Sequence, residues 1–466
     1  MSDIIARRAF KLAVLGTALF CVLGLWRAVA IMGLRLPLDP NEGWNAYHAA
    51  AAMSGAPLYP GPQSTMINNY PPLSFYLVGA LGRLVGDNIF AGRIVSLLSF
   101  FFVSFGIFAA ALRMGCKRFE ASFAALLFAG VLLVFTDYVG IDDPQMLAHA
   151  MAMAGFLLLL REPRAAAHVA AAAALFALAV FVKHNVIGMA AAATVWLAVY
   201  DRRSALRLVA CGIGFLLLGF VLFRFAYGTG LLAHLISSRI YSLDNLQSGF
   251  DRWLHWSLVP LVGLTILAFL RWNDRYVRLV TFYAAFSMVL GIGFLGGAGV
   301  DVNVMFDADI ALALGAALLL ERTARGVFAP VAAVAYVLPL LFAAWTNGDW
   351  RDADSWLHPM REEASLAQKD IAFLAARQGP ALCEMQSFCY WARKPAAVDV
   401  FNVGQQFDTG ARSDVPLVAS IEARRFSVIQ FDPDSPYSLG ENVHDAMARA
   451  YRLDHQDDYG SFYVPR

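Results

Sequence analysis

Long apolar runs fill most of the first three-quarters of the chain, and short polar segments separate them. A helix that crosses a bilayer needs about 20 apolar residues, so these runs predict about eleven membrane-spanning helices. The polar triplet Lys183-His184-Asn185 divides an apolar stretch, 169–199, that is too long for one crossing. The predicted spans lie near residues 10–31, 92–113, 120–136, 146–160, 168–182, 187–200, 207–226, 254–270, 277–297, 306–320 and 327–346.

The pattern changes after residue 346. Residues 361–377 and 441–452 have the apolar spacing of amphipathic helices, and residues 396–401 and 426–431 resemble short buried strands. Helices and strands in this mixture predict a small α/β domain. We therefore expect two parts, a transmembrane domain over residues 1–346 and a soluble, extracytoplasmic α/β domain over residues 347–466.

Composition supports this division. Hydrophobic residues make up 59% of the chain and charged residues only 15%, whereas soluble domains average about 25% charged. Of the 36 basic and 35 acidic residues, about 30 lie after residue 346. These values exclude a disordered protein, a small disulfide scaffold and most cytosolic enzymes. The chain also carries no P-loop and no nucleic-acid-binding motif.

Basic residues predict the orientation of the spans. They occur at the N-terminus and in every second connection, as expected for cytoplasmic loops. An odd number of spans then places the C-terminal domain outside, in the periplasm if the membrane is a bacterial inner membrane. Ala28-Val29-Ala30 imitates a signal-peptide cleavage site, but the preceding run is long and ends in Trp26-Arg27, so we interpret it as a span. The basic residues concerned are Arg7, Arg8, Lys11, Arg113, Lys117, Arg118, Arg161, Arg164, Arg202, Arg203, Arg207, Arg271, Arg275, Arg278, Arg322 and Arg325.

The first outer loop, residues 35–89, is long enough to suggest a function. Segments 43–53 and 72–86 are predicted to form short helices along the outer membrane interface. Asp39 and Glu42 lie where the first span ends, three residues apart, and would share a helix face. Either they are solvated carboxylates, one of which caps helix 43–53, or they belong to an active site.

The second outer loop carries Asp137, Asp142 and Asp143 just before Pro144. An aspartate followed by proline is typical of a helix start, but one cap needs only one aspartate. Three carboxylates at a membrane surface also suit a divalent cation. Both interpretations remain open from the sequence.

Cations and an amide complete the polar residues at the outer span ends. Lys183 either extends to the interface from its helix end or binds a phosphate as a point charge. Arg239 lies in a later outer loop, and Asn303 follows the glycine-rich run 291–299. His48 and His255 fit interfacial or structural roles better than ligand roles.

Several motifs, taken in their order along the chain, resemble a known superfamily. They are Asn41-Glu42-Gly43-Trp44-Asn45-Ala46-Tyr47, Gly55 with Pro57-Leu58-Tyr59, Tyr70-Pro71-Pro72-Leu73, Ala91-Gly92-Arg93-Ile94-Val95-Ser96, Asp142-Asp143-Pro144, Lys183 and Asp301-Val302-Asn303. This pattern is similar to the GT-C glycosyltransferases, which use polyprenyl-phosphate sugars. Within them it resembles the protein mannosyltransferase and aminoarabinose transferase branch and the Rgt-type lipopolysaccharide glycosyltransferases. The resemblance covers most of residues 1–346.

The resemblance implies a single inverting displacement at the outer membrane face. Family members often begin the first motif with Asp-Glu, but this chain has Asn41-Glu42, so the catalytic base is either Glu42 or Asp39. Lys183 and Arg239 would bind the donor phosphate. Substrate would contact Asp142 and Asp143 of the second outer loop, and also Tyr70 and Asn303. Some members use a divalent metal, and here it would bind Asp142, Asp143 and His184.

The partners implied are a polyprenyl-phosphate sugar, membrane lipids and an acceptor, which is lipid A or lipopolysaccharide, another glycolipid, a polysaccharide or a protein. Two rival interpretations come from other classes, a transporter or lipid flippase and a non-catalytic assembly partner. Transporters often contain inverted repeats and broken helices, and neither is visible in this sequence. In the C-terminal domain, Cys383 and Cys389 are either paired or free.

Overall fold

The computed structural model describes residues 2–61, 63–323, 328–346, 356–432 and 439–466, and within them the first part of the chain is helical. Each of the eleven predicted spans is confirmed as a helix. The helices are α1 (Ser2–Ile31), α2 (Asn41–Ser54), α3 (Leu73–Val85), α4 (Asn88–Arg113), α5 (Arg118–Phe135), α6 (Gln145–Leu159), α7 (Ala166–Val182), α8 (Gly188–Tyr200), α9 (Arg202–Tyr227), α10 (Gly230–Leu235), α11 (Leu243–Arg271), α12 (Arg275–Leu295), the 3-10 turn Val302–Met305, α13 (Phe306–Arg322) and α14 (Phe328–Thr346).

By length and composition, 8 of these helices can cross a membrane, counted over the described residues. The predicted spans α6, α7 and α8 are apolar but shorter, with 15, 17 and 13 residues. The polar triplet after Val182 does separate α7 from α8, as predicted. The result is a multi-pass helical membrane protein.

Helix α13 lies at the centre of the membrane part, with 94% of its apolar window buried. It packs against α5, α11 and α12. Small residues such as Ala308, Ala311 and Ala316 allow neighbouring helices to come close, because helix association in lipid depends on packing. At the periphery, α9 is only 6% buried, so its leucine and phenylalanine side chains are left to face lipid.

The C-terminal part contains five helices and a four-stranded sheet among its described residues. Strand order is β1-β2-β4-β3. β1 pairs parallel with β2, and the other pairs are antiparallel. The elements are α15 (Arg361–Ala375), β1 (Ala381–Cys383), α16 (Gln386–Trp391), α17 (Val400–Asp408), α18 (Val415–Glu422), β2 (Val428–Phe431), α19 (Glu441–Ala450), β3 (Tyr451–Asp457) and β4 (Gly460–Pro465).

One predicted element of this part is wrong. Residues 396–401 form no strand, because Asp399 accepts a hydrogen bond from the backbone N–H of Asn402 at 3.1 Å and begins α17. The predicted helices and the strand near residues 426–431 are present within a few residues. Cys383 and Cys389 form a disulfide, which joins the end of β1 to α16.

The first outer loop and the C-terminal part share their apolar cores. Ile67 packs with Leu382 and Val443, while Leu36 and Ala46 belong to a cluster with Phe388. Helix α2 is enclosed by α3, α4 and α16, so it is an internal helix rather than one that lies on a surface. The boundary between residues 346 and 347 stays a prediction.

Gly43 allows α2 and α16 to approach each other. A Cβ atom on this residue would overlap the backbone of Gln386 and Ser387, which cannot move aside as a flexible side chain would. We expect Gly43→Ala to lower the free energy of unfolding by about 1–3 kcal/mol, the usual range for overpacking. Thermal unfolding of the detergent-solubilised protein measures the effect.

The control is Gly16→Ala in α1, where a Cβ meets no atom within 4 Å. Equal unfolding midpoints for the two variants would show that α2 and α16 are not held at this distance.

Candidate active site

A buried ion pair organises the start of the first outer loop. Arg93 of α4 is 1% exposed and Glu42 of α2 is 0% exposed. The Arg93 Nε donates to Glu42 Oε1 at 2.7 Å, and an Arg93 terminal nitrogen donates to Oε2 at 2.6 Å. The two side chains therefore form a bidentate pair, the strong geometry for arginine and carboxylate.

The remaining donors of Arg93 hold the chain that follows α1. They bond the carbonyl oxygens of Met32, Leu34 and Leu36 at 3.1, 2.8 and 2.6 Å. All five N–H donors of the guanidinium are thus used. This arrangement fixes the segment that presents Asp39.

Glu42 also binds the second outer loop. Its Oε1 accepts from the Asp142 N–H at 3.1 Å and its Oε2 from the Leu38 N–H at 3.0 Å. Asn45 donates to the Asp142 carbonyl at 2.6 Å. Four donors on a fully buried carboxylate leave Glu42 no exposed oxygen for an acceptor, so these contacts favour a positioning role.

Asp142 lies behind the surface. Its side chain is 3% exposed, and its Oδ2 makes no hydrogen bond with the described residues. Burial raises the pKa of Asp142 well above the usual range, and the charges on Glu42 and Asp143 raise it further. Burial and the two neighbouring carboxylates therefore disfavour the charged form of Asp142.

Asp143, Lys183 and Tyr70 form the second polar group. The Lys183 ammonium donates to both carboxylate oxygens of Asp143 at 3.0 Å, and it lies 4.8 Å from the centre of the Tyr70 ring. Asp143 Oδ1 also accepts from the Gln145 N–H at 2.7 Å and so caps α6. Lys183 is 5% exposed, and Asp143 and Tyr70 are among the residues that shield its ammonium group from solvent.

Asp39 differs from the other carboxylates because it is half-buried rather than enclosed. Its Oδ1 accepts from the Asn41 N–H at 2.7 Å. Burial raises the pKa of Asp39 to about 7, against the lowering effect of that hydrogen bond, and Asp143 and Glu42 add to the rise. A carboxylate with this pKa can take up and release a proton near neutral pH.

A cavity of about 240 Å³ lies between the outer loops and the C-terminal part, and the two residues that follow Asp39, Pro40 and Asn41, line it. Arg239 lines it, donates one hydrogen bond to Ala298 O at 3.2 Å and lies 5.5 Å from the centre of the Phe401 ring. The other lining residues include the carboxylates Glu384, Asp399 and Asp432, together with Pro40, Asn41, Trp44, Asn69, Tyr70 and Asn402. The cavity therefore joins first-loop residues to a cation and to the C-terminal part.

The C-terminal part contributes residues that the sequence did not single out. Asp399 is 2% exposed, and its Oδ2 accepts from the Trp44 indole N–H at 3.0 Å and from Asn402 at 2.7 Å. The one visible signal was an aspartate directly before an asparagine-containing amphipathic segment, Val400–Asp408. The first motif and the C-terminal part are thus directly hydrogen-bonded at the cavity.

The proposed metal ligands are not brought together. Among the described residues, the only group of three histidine, cysteine or acidic side chains with ligand atoms within 4.8 Å of one another lies elsewhere. His184 is exposed, and Lys183 occupies both oxygens of Asp143. The set of Asp142, Asp143 and His184 therefore does not fit a metal as it stands. Asn303 is buried in the 3-10 turn before α13, and its role stays a prediction.

Comparisons with known proteins agree with the fold. The family model for dolichyl-phosphate-mannose-protein mannosyltransferase matches residues 69–227, from the end of the first outer loop through α9. A search of curated proteins by sequence gives no match.

Two kinds of solved structure share the architecture. ArnT from Cupriavidus metallidurans, in the apo state, superposes with a TM-score of 0.63 at 15% identity, over 96% of this chain and 97% of that one. ArnT bound to undecaprenyl phosphate superposes with a TM-score of 0.62 at 14% identity, over 95% of this chain and 97% of that one. The Archaeoglobus fulgidus oligosaccharyltransferase, tethered to an acceptor peptide, superposes with a TM-score of 0.53 at 12% identity, over 98% of this chain and 74% of that one.

The fold is that of the GT-C glycosyltransferases. The family model matches part of this fold, residues 69–227, so over this range the chain is similar to the protein mannosyltransferases. The comparisons thus favour the enzyme over a transporter or flippase.

Proposed function

We propose that the protein transfers a sugar from a polyprenyl-phosphate donor to an outward-facing acceptor by one inverting displacement. One observation carries the proposal, which is the half-buried Asp39 carboxylate with a raised pKa, in a loop whose next two residues line the same cavity as Arg239. The ArnT structure with bound undecaprenyl phosphate supports a lipid-phosphate donor. The oligosaccharyltransferase with an acceptor peptide supports an acceptor site in the same fold.

Asp39 is the proposed general base. It removes the proton from the acceptor hydroxyl while that oxygen attacks the anomeric carbon, and the bond from this carbon to the phosphate oxygen breaks. A base works best when its pKa lies near the operating pH, and the pKa of Asp39, about 7, meets this requirement. Glu42 is assigned to positioning, because four donors already saturate it.

Arg239 is the proposed contact for the leaving phosphate. Negative charge develops on the phosphate as the sugar leaves, and a cation placed there in advance stabilises the transition state. A guanidinium has five N–H donors, and one of those of Arg239 bonds Ala298. Lys183 is bonded to Asp143 and lies against the Tyr70 ring, so its positive charge acts on the leaving phosphate from a distance. It contacts the phosphate directly only if its bonds to Asp143 break. No step in this mechanism passes through a metal.

The location of the site suits a lipid-linked donor, whose chain stays in the bilayer while its phosphate reaches the interface. From the distribution of basic residues, we propose a bacterial inner membrane, with the N-terminus in the cytoplasm and residues 347–466 in the periplasm. The acceptor is a lipid A or lipopolysaccharide, another glycolipid, a polysaccharide or a protein.

The direct test incubates the purified protein in lipid nanodiscs with a panel of synthetic polyprenyl-phosphate sugars and envelope acceptors. We expect one donor to be consumed only when an acceptor is present, with inversion at the anomeric carbon. A product with retained configuration would contradict the displacement. Uptake of a solute by proteoliposomes without any sugar transfer would favour the transporter.

Arg239 offers a focused test of donor binding. We expect Arg239→Met to lower kcat/KM for the donor about 10- to 100-fold, because it removes charge-assisted hydrogen bonds worth roughly 1.5–3 kcal/mol. The control is Arg252→Met, because Arg252 of α11 has a side chain that is 56% exposed and pairs with Asp301, just before the 3-10 turn. Equal kcat/KM values for the two variants would remove Arg239 from the mechanism.

A further inference from the structure

A second polar cluster lies on the C-terminal sheet, in contacts separate from those of the cavity. Asp370 of α15 meets His455 and Asp457 of β3, and one ligand atom from each lies within 4.8 Å of the others. We propose that these three side chains bind a divalent metal ion, with zinc as the best match, and that the ion fastens α15 to the sheet. This proposal does not depend on the proposed function.

The imidazole of His455 is oriented as in a metal ligand. Its Nδ1 lies 3.1 Å from Asp454 Oδ2, and its Nε2 lies 3.3 Å from Asp370 Oδ1. The ring stacks on Phe462 at 4.6 Å and meets the edge of Phe373 at 4.7 Å. Metal-binding histidines commonly donate their other N–H to a carboxylate, which fixes the tautomer. In that tautomer the Nε2 lone pair faces a carboxylate oxygen, and a cation between them removes the repulsion.

Asp370 supplies an independent observation. Its side chain is 2% exposed, yet its Oδ2 accepts no hydrogen bond from the described residues. A buried carboxylate oxygen without a partner is costly. The Asp457 carboxylate lies beside it, with a ligand oxygen within 4.8 Å of one of Asp370. A bound cation would give Asp370 Oδ2 a partner and would also offset the repulsion between the two carboxylates.

The donor set selects the class of metal. One imidazole nitrogen and two carboxylate oxygens suit zinc and related transition metals, whereas calcium and magnesium prefer oxygen ligands alone. Three protein ligands leave a tetrahedral ion one position for water. The ligands come from two elements that are about 80 residues apart in sequence, so binding would stabilise their packing.

The competing explanation is an imidazolium bridge, in which a doubly protonated His455 lies between Asp370 and Asp454. It needs no metal, and it predicts that added zinc does not raise the unfolding midpoint. The two explanations therefore give opposite results in a zinc titration.

The test uses the full-length protein in detergent, stripped with a chelator and titrated with zinc alone. We expect His455→Gln and Asp457→Asn each to bind one zinc ion per chain fewer than wild type, by metal analysis after dialysis. Zinc should raise the wild-type unfolding midpoint but not that of His455→Gln. Counting the difference removes the contribution of any other zinc-binding residues.

Two further variants sharpen the result. Asp458→Asn removes an exposed neighbouring charge and should leave zinc uptake unchanged. Asp454→Asn should weaken zinc affinity about 10- to 100-fold, the usual effect of losing the carboxylate that orients a histidine ligand. Size-exclusion chromatography of each variant checks that it is folded. Equal zinc stoichiometry in wild type and a His455→Gln/Asp457→Asn double variant would overturn the proposal, as would a wild type whose midpoint responds to pH but not to zinc.

Discussion

Replacement of Asp39 by asparagine is expected to lower the rate of sugar transfer about 10²- to 10⁴-fold, the range for loss of a general base. Asparagine keeps an oxygen that accepts the Asn41 N–H, so the loop should retain its shape. Initial rates of donor consumption in nanodiscs measure the effect. The unfolding midpoint, recorded in parallel, should not fall.

The same residue predicts the pH dependence. A base must be deprotonated to act, so kcat/KM should fall about tenfold for each pH unit below the pKa of Asp39, which is about 7, and level off above it. The unfolded chain releases the Asp39 proton near pH 4, whereas the folded protein retains it up to about pH 7. The wild type therefore loses stability as the pH rises from roughly 4 to 7. Asp39→Asn should remove that loss.

The matched control is Asp137→Asn, since Asp137 is an exposed carboxylate in the second outer loop. It should leave both the rate and the pH profile unchanged. Glu42→Gln provides the contrast, because a positioning residue should lower the rate and the unfolding midpoint together. Wild-type rates in Asp39→Asn would exclude this residue as the base.

Removal of the Arg93 side chain is expected to cause the largest loss of stability. Arg93→Met leaves the Glu42 carboxylate buried without its counter-ion, and breaking one side of a buried pair costs about 3–5 kcal/mol. It also frees the carbonyl oxygens of residues 32–36, so transfer activity should fall as well. Chemical or thermal denaturation in detergent measures the change.

An exposed ion pair gives the control. Arg35 lies 3.9 Å from Asp87 with its side chain 60% exposed, so Arg35→Met should cost less than about 1 kcal/mol. The double variant Glu42→Gln/Arg93→Met should be more stable than Arg93→Met alone, because it removes the uncompensated charge. A double variant less stable than either single variant would show that the buried pair is not the cause.

The helices were predictable because their signal is local. Runs of apolar residues gave eleven helices, of which 8 are long and apolar enough to cross a membrane among the described residues, and the break after Val182 followed from three polar residues. The strand predicted at residues 396–401 failed because a single side chain, Asp399, caps a helix there, and apolar spacing does not reveal a cap. The strands β3 and β4 alternate weakly and depend on pairing with each other.

The site was only partly predictable, since its decisive contacts join residues that are distant in sequence. The chain order gave the carboxylates, Lys183 and Arg239. The structure joins Glu42 to Asp142 and Lys183 to Asp143, and of this set only Arg239 lines the cavity. The choice between Asp39 and Glu42 required Arg93, which is 51 residues from Glu42. The contribution of Asp399 required a contact across 355 residues. No pattern within a single segment carries either fact.

The shared core also imposes an order on biogenesis. Ile67 leaves the ribosome long before Leu382, its packing partner in the C-terminal part. At about 5–20 residues per second, roughly 15–60 s of synthesis separate the two. During that interval the first loop holds exposed apolar side chains and an incomplete cavity, while the membrane helices from α4 onward are still to be inserted. The newly made protein therefore depends on its last 85 or so residues to close a site whose first carboxylates were among the earliest to be translated.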